Sequence, residues 1–171
     1  MNGDHASRTL IRTITNWGVG KWESFDRAFS GATNLTIPAT DEPDLSLTTD
    51  MEQAFRACSS LVGTTLNDWD VTTINNMRYM FKDNPAFNGN ISSWNTTAVT
   101  DMQGMFEQNT SFNQNINTNG NSWNTALVTD MRRMFWGATA FNLDIGNWNT
   151  AAVTDMSQMF YNASSFNQDV S

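Results

Sequence analysis

Large apolar side chains recur at fixed positions along the chain, and polar residues separate them. The clearest marker is Met-x-x-(Met/Ala)-Phe, which occurs at 51–55, 77–81, 102–106, 131–135 and 156–160, with a degenerate copy, Phe-Asp-Arg-Ala-Phe, at 25–29. From Met51 to Met156 the markers follow one another at steps of 26, 25, 29 and 25 residues. Self-similarity at such a period is typical of a repeat architecture.

Further apolar positions keep the same register within each copy. One unit of this kind cannot bury its apolar face alone, but stacked copies bury one column of side chains on the next. The pattern therefore predicts about six stacked coils. The columns contain a Leu or Phe six residues after the marker Phe (35, 61, 87, 112, 141, 166), an aliphatic residue (66, 91, 116, 145, 170), a Trp (69, 94, 123, 148) and an Ile or Val (74, 99, 128, 153).

Two elements are expected in each coil. Asp101 precedes an i, i+3, i+4 apolar set, and this spacing predicts a helix of about two turns with an N-cap. The Phe-Asn-x-Asn/Asp-Ile segments read as short β-strands, which would pair into a narrow parallel sheet. Within them a column of Asn88, Asn113, Asn142 and Asn167 predicts a hydrogen-bonded structural ladder. The fold class predicted is thus an α/β repeat solenoid, with one short strand and one short helix per coil.

The repeat pattern also defines the organisation of the chain. It predicts a single repeat solenoid over residues 10–171, which begins and ends in mid-repeat. Residues 1–9 lie outside the pattern, and we expect them to form a flexible N-terminal tail. The start of the chain has no basic residues followed by an apolar run, so it does not resemble a signal peptide.

Composition and charge exclude some classes of partner. Nine basic against seventeen acidic residues give a net charge of −8. Nucleic acid is therefore not an expected partner, because binding phosphates needs clustered Lys and Arg. No stretch approaches the roughly 18 apolar residues of a membrane helix, so we expect no membrane insertion.

Few residues offer catalytic or metal-binding chemistry. The one histidine, His5, and the one cysteine, Cys58, cannot assemble a zinc site or a catalytic triad. Cys58 occupies a slot filled by Ala or Asn in the other copies, which favours a small core residue. Asp101, Asp130 and Asp155 repeat at predicted helix starts, where capping is the expected role. We predict no catalytic residues, no metal, no cofactor and no enzymatic activity.

The repeat resembles a known family. Phe-Asn-x-Asp-Ile-x-x-Trp-Asn-Thr-x-x-Val-Thr-Asp-Met-x-x-Met-Phe is similar to the bacterial surface protein 26-residue repeat of the BspA-like leucine-rich-repeat surface proteins. Ala-Phe-Arg-Ala-Cys at 54–58 and Leu-Thr-Ile-Pro at 35–38 resemble further elements of that group. The resemblance implies a leucine-rich-repeat-like right-handed superhelix and a cell-surface or secreted protein linked to adhesion. The family shares no catalytic residues.

Positions at which the repeats differ are the candidates for function. The residue after the marker Phe is Ser30, Arg56, Lys82, Glu107, Trp136 or Tyr161. Polar occupants in four copies predict a solvent-facing position, so Trp136 and Tyr161 are expected to be exposed neighbours. Exposed aromatic residues are enriched at binding interfaces. Tyr79 and Arg133 share another variable position and complete the predicted partner-binding set.

These observations favour a non-catalytic interaction or adhesion module that binds a protein or glycan through variable exposed positions. The alternative is a structural or scaffold subunit, which packs through uncapped solenoid ends in end-to-end contacts. Capping repeats are normally required for solubility, and apolar residues such as Phe166 and Val170 would otherwise meet water. A Thr array that recognises an ordered surface such as ice is a third hypothesis, but turns and caps explain the same Thr residues.

Overall fold

The computed structural model describes residues 11–63 and 65–170. Across these residues there is no helix and no extended strand. The regular pairing consists of isolated parallel bridges between successive repeats, at Thr13–Thr36, Lys21–Asp44, Asp50–Asn76, Asn76–Asp101, Asp101–Asp130 and Asp130–Asp155. The predicted α/β solenoid of leucine-rich-repeat type, with a strand and a helix in each coil, is therefore wrong.

A backbone ladder replaces the predicted helices. We call the seven residues that begin at each marker a marker segment: 25–31, 51–57, 77–83, 102–108, 131–137 and 156–162. The amide of Met102 donates to the carbonyl just before the next marker segment, and those of Gly104, Phe106 and Gln108 donate to carbonyls within it, at 2.7–3.0 Å. Equivalent sets of four join 51–57 to 77–83, 77–83 to 102–108 and 131–137 to 156–162. Alternate N–H groups thus hold one repeat to the next.

The remaining amides close turns within each segment. The amide of Met105 donates to the carbonyl of Met102, and that of Asn109 to Phe106. The third and seventh residues of every marker segment have positive φ, as at Gly104 (57°) and Gln108 (58°). A left-handed residue costs about 1–2 kcal/mol when it is not glycine. Four hydrogen bonds at about 1 kcal/mol each offset two such residues per repeat.

The helix prediction failed for a specific physical reason. An α-helix turns every amide towards its own segment, whereas these segments direct half of their amides to the neighbouring repeat. The predicted capping residues keep a capping role at the start of a turn: Asp101 Oδ1 accepts the amide of Gln103 at 2.8 Å, and Asp130 Oδ1 accepts that of Arg132 at 2.8 Å. Asp155 does the same for Ser157.

The predicted β-segments are also wrong, because they form no strand and four of the six parallel bridges join the residues that precede the marker Met. The Asn column inside those segments is nevertheless confirmed as a ladder. Asn88 Oδ1 accepts the amide of Asn113 at 2.9 Å, and Asn113 Oδ1 accepts that of Asn142 at 3.0 Å. Asn142 and Asn167 continue the pattern at 2.9 Å. Side-chain oxygens therefore supply here the contacts that a sheet would take from its backbone.

The core consists of stacked aromatic columns, as the repeat pattern predicts. Marker Phe rings lie nearly parallel: Phe81 and Phe106 are 6.0 Å apart, and Phe106 and Phe135 are 5.7 Å apart. A second column interlocks with the first, since Phe112 lies 3.9 Å from Phe106 and 6.0 Å from Phe87. The marker methionines other than Met156, and most of the other column residues, are also buried.

The Trp column joins the core to the backbone. The indole nitrogens of Trp94, Trp123 and Trp148 donate to aliphatic-column carbonyls of the preceding repeat, at 2.7–3.0 Å. The indole N–H of Trp69 is buried and has no partner in the described part of the chain. Its repeat follows the irregular segment around Pro38 and Pro43, so the usual acceptor is missing.

Two further predictions concern the ends and the membrane. The proposed flexible tail, residues 1–9, lies outside the described residues, as does His5. Among the described residues, no helix is long and apolar enough to cross a membrane.

Candidate partner-binding surface

The second, third and sixth residues of the marker segments form the variable surface, which we call the turn face. Ion pairs connect neighbouring repeats along much of it. Arg27 contacts Glu52 at 3.1 Å, and Arg56 contacts Asp83 at 3.5 Å. Most charged side chains on this face therefore have a partner within the chain. Such exposed ion pairs add at most about 1 kcal/mol each to the stability of the fold.

The centre of the turn face is more buried than the sequence predicts. Glu107 is only 1% exposed and pairs with Lys82, although the polar residues of its column predict exposure. The Tyr79 ring covers the adjacent Gly104, where an added Cβ would lie 2.3 Å from Tyr79 Cε1. Gln103 donates to the Tyr79 hydroxyl at 2.6 Å, and Lys82 Nζ lies 5.1 Å from the ring centroid. Tyr79 thus belongs to a closed internal network.

The other three predicted residues come together near one end of the turn face. The rings of Trp136 and Tyr161 are 6.0 Å apart at 40°, and the Arg133 guanidinium lies 5.3 Å from the Trp136 centroid. Arg133 Nε donates to Gln158 Oε1 at 2.7 Å. We call Arg133, Trp136 and Tyr161 the aromatic patch.

Exposure differs among these residues. Tyr161 is 55% exposed, as predicted, whereas Trp136 is half-buried because Arg133 covers one side of the ring and Tyr161 lies beside it. The indole N–H of Trp136 is out of contact with solvent and has no hydrogen-bond partner among the described residues. The structure does not bring Tyr79 to the patch, since the segment with Gly104 separates it from Arg133.

The patch combines aromatic surface with one positive charge. A guanidinium held over an indole contributes about 0.5–2 kcal/mol and limits the motion of both groups. Rigid aromatic side chains offer a large contact area at a small entropy cost. The patch can therefore stack on apolar or planar groups of a partner and donate hydrogen bonds from Arg133 and from the Tyr161 hydroxyl.

The other described residues form neither a metal-binding cluster nor a reactive thiol site. No group of three or more His, Cys, Asp or Glu residues able to hold a metal ion is present there. Cys58 is fully buried, its thiol donates to the Phe29 carbonyl at 3.0 Å, and burial raises its pKa to about 12. Cys58 is thus the core residue that the sequence favours.

Comparison with known families gives one match. The model of a family described as "Mycoplasma protein of unknown function, DUF285" matches residues 23–122 and 49–171. The chain belongs to this family. The two matches start 49 − 23 = 26 residues apart, which is one repeat of the chain. No curated protein and no solved structure matches the chain.

In this DUF285 chain the aromatic patch lies within the second match. Sequence reasoning missed two features of its setting. Gln158 of the next repeat accepts a hydrogen bond from Arg133. This contact could have been predicted, because both residues hold the third position of their marker segments. The second feature is Gly137, which has a φ of 71°. The Gln108 side chain fills the space beside it, and its Nε2 lies 2.6 Å from the position that a Cβ of residue 137 would take.

Proposed function

We propose that the protein is a non-catalytic interaction or adhesion module, and that the aromatic patch binds a protein or glycan partner. The observation that carries the proposal is the change of chemistry along one column. Three middle repeats place the charged residues Arg56, Lys82 and Glu107 there, which pair within the chain. The last two repeats instead place Trp136 and Tyr161 beside Arg133.

The resemblance of the repeats to the BspA-like surface proteins supports the adhesion class and a surface or secreted location. This support comes from the sequence motif alone, because the strand and helix expected of leucine-rich repeats are absent from the described residues. The closed ion pairs of the other repeats also support a local site, since they leave few free charges to attract a partner over a wide area.

Immobilised protein tests this proposal directly. We would measure adhesion of cells and retention of glycans from an array on wild type, on Trp136→Ala/Tyr161→Ala and on Arg133→Ala. The matched control is Leu127→Ala, which also truncates an exposed apolar side chain, one that is 55% exposed. We expect the patch variants to lose at least about tenfold in binding, the effect of 1.4 kcal/mol, because truncated hot-spot residues cost more than that.

The control should bind as wild type does. Unchanged unfolding transitions in all variants would show that any loss is local. The patch assignment is wrong if the double variant retains full binding to every ligand that wild type captures.

A second candidate function is a structural or scaffold subunit that assembles through the ends of the repeat stack. The apolar last repeat favours it: Met156 is 41% exposed and Val170 is 59% exposed. Together with Trp148 and Phe160 these residues line a cleft of about 170 Å³.

A further inference from the structure

One repeat is longer than its neighbours, and the extra residues form a loop. Between the aliphatic column and the Trp column, the preceding repeat has only Ser92-Ser93, whereas this repeat has residues 117–122. We call residues 117–122 the insertion loop. In repeat proteins such insertions form loops on one face of the stack, and that face often binds the partner.

Hydrogen bonds hold the insertion loop in place. Asn117 is only 6% exposed, and its Nδ2 donates to Asp144 Oδ2 of the next repeat at 2.9 Å. Its carbonyl accepts a hydrogen bond from Asn121 Nδ2 at 3.0 Å, which closes the loop on itself. Thr118 Oγ1 donates to the Asn147 carbonyl of the next repeat at 2.8 Å. The loop is thus ordered without a ligand, and this lowers the entropy cost of binding one.

An open groove of about 400 Å³ lies along the insertion loop and the next repeat, and we call it the loop groove. Its volume falls within the range of ligand sites, about 300–1,000 Å³. All of the described residues that line it are uncharged, and the aromatic residue among them, Trp123, is only 2% exposed. The groove therefore offers a ligand neither a charge nor a broad apolar surface.

Polar groups of the loop groove remain available to a ligand. The side chains of Ser122 and Asn147 are exposed and form no hydrogen bond with the described part of the chain. Asn124 uses its Oδ1 to accept the amide of Ala126, which leaves its Nδ2 free, and Asn121 uses only its Nδ2. Amides and hydroxyls supply both donors and acceptors, and so do the hydroxyls of a sugar.

From this chemistry we propose that the loop groove binds a neutral glycan. Acidic glycans fit less well, because the groove has no cationic lining residue among those described and the chain carries a net charge of −8. Peptides fit less well too, because their recognition uses strand edges, apolar grooves or charged pockets. The inference rests on the proposed interaction function but not on the aromatic patch, whose residues all belong to marker segments.

Two variants test the loop groove on a glycan array. The first replaces the insertion loop with Ser-Ser, the sequence that the preceding repeat has at this place, so the shortened repeat should fold like its neighbour. The second is Ser122→Ala/Asn147→Ala, which removes two side chains that form no hydrogen bond within the described residues. Its matched control is Asn34→Ala/Ser165→Ala, which truncates the same residue types at exposed positions outside the groove.

We expect wild type to retain neutral glycans and the loop-shortened variant to lose them. Ser122→Ala/Asn147→Ala should bind the same glycans at least about fivefold more weakly, because two hydrogen bonds are lost. The control should bind as wild type does, and all variants should unfold as wild type does. Raising the NaCl concentration should leave the affinity unchanged, because salt screens only interactions between charges.

Three results would overturn the proposal. These are a wild type that retains no neutral glycan, retention that both loop-groove variants keep in full, and a preference for acidic glycans or for arrayed peptides. The Trp136→Ala/Tyr161→Ala variant separates the two sites, since it should keep the neutral glycans that the loop-groove variants lose. If only the patch variant loses them, the loop groove is refuted and the aromatic patch stands; if only the loop-groove variants lose any ligand, the reverse holds.

Discussion

Phe106 provides the sharpest test of the stacked aromatic core. Its ring contacts three others: Phe81 at 6.0 Å, Phe112 at 3.9 Å and Phe135 at 5.7 Å. Phe160 has the same role in the last repeat, but it contacts only Phe135 and Phe166 and is half-buried. The two residues therefore differ in burial and in stacking partners but not in chemistry.

The expected losses follow from this difference. A buried Phe→Ala change costs about 3–5 kcal/mol, and three ring contacts place Phe106→Ala at the upper end of that range. Phe160→Ala removes a half-buried ring with two contacts, so we expect about 2 kcal/mol. Because repeats couple mainly to their neighbours, the loss at Phe160 should weaken the last repeats first.

Equilibrium urea unfolding, followed by Trp fluorescence, measures both changes. We expect Phe106→Ala to lose at least about twice the unfolding free energy lost by Phe160→Ala. Equal losses, or a loss below about 1 kcal/mol at Phe106, would show that the aromatic columns do not carry the stability of the stack.

Two other predictions concern the backbone and the acidic column. In thermal unfolding, Gly104→Ala should lower Tm more than Gly31→Ala does. Both glycines have positive φ, but only at Gly104 would an added Cβ lie 2.3 Å from the Tyr79 ring. Equal changes in Tm would contradict this prediction. Burial raises the pKa of Asp101, whereas hydrogen bonds from Ser157 lower that of Asp155. The ionised Asp101 therefore lowers stability at neutral pH, and this loss disappears as the pH falls through its raised folded pKa. Asp155 instead adds stability above the usual Asp pKa, and this gain is lost as the pH falls through its lowered folded pKa. At neutral pH we expect Asp101→Asn to raise Tm, by less than about 1 kcal/mol in free energy, and Asp155→Asn to lower it. Both differences should fade at acid pH, and changes of the same sign would refute the assignment.

The apolar columns were predictable because burial follows residue type and repeat spacing. Trp94, Phe106 and Met131 are buried as their register predicts, and the small residue Cys58 fits its slot in the core. The Asn ladder was predictable for the same reason, since an identical polar residue in every repeat has an identical neighbour to bond.

The backbone conformation was not predictable from apolar spacing, because an i, i+3, i+4 set also suits a chain of tight turns. The discriminating signal was present in the third and seventh positions of the marker segments. Gly31, Gly104 and Gly137 occupy them, with Asp83 and Asn162, and all of these residue types tolerate left-handed backbone. Arg27, Gln53 and Tyr79 at the same positions obscured the signal.

The candidate site was predictable only in part. Variation between repeats identified Trp136, Tyr161 and Arg133, which do lie together. Burial of Glu107 was not predictable, because it depends on the Lys82 pairing and on the half-buried surroundings of the neighbouring repeats. From a residue's position in a column, its neighbours can be predicted more reliably than its exposure can.

Amide hydrogen exchange, resolved residue by residue in dilute protein, tests the central claim most directly: the repeats are joined by alternate amides of turn-based segments. We predict strong protection at Met102, Gly104, Phe106 and Gln108, which donate to the next repeat, and fast exchange at the equivalent amides of the last segment, such as Gln158 and Phe160. Equal protection of the equivalent amides in the interior and last segments, as two-turn helices in every repeat would give, would contradict the account.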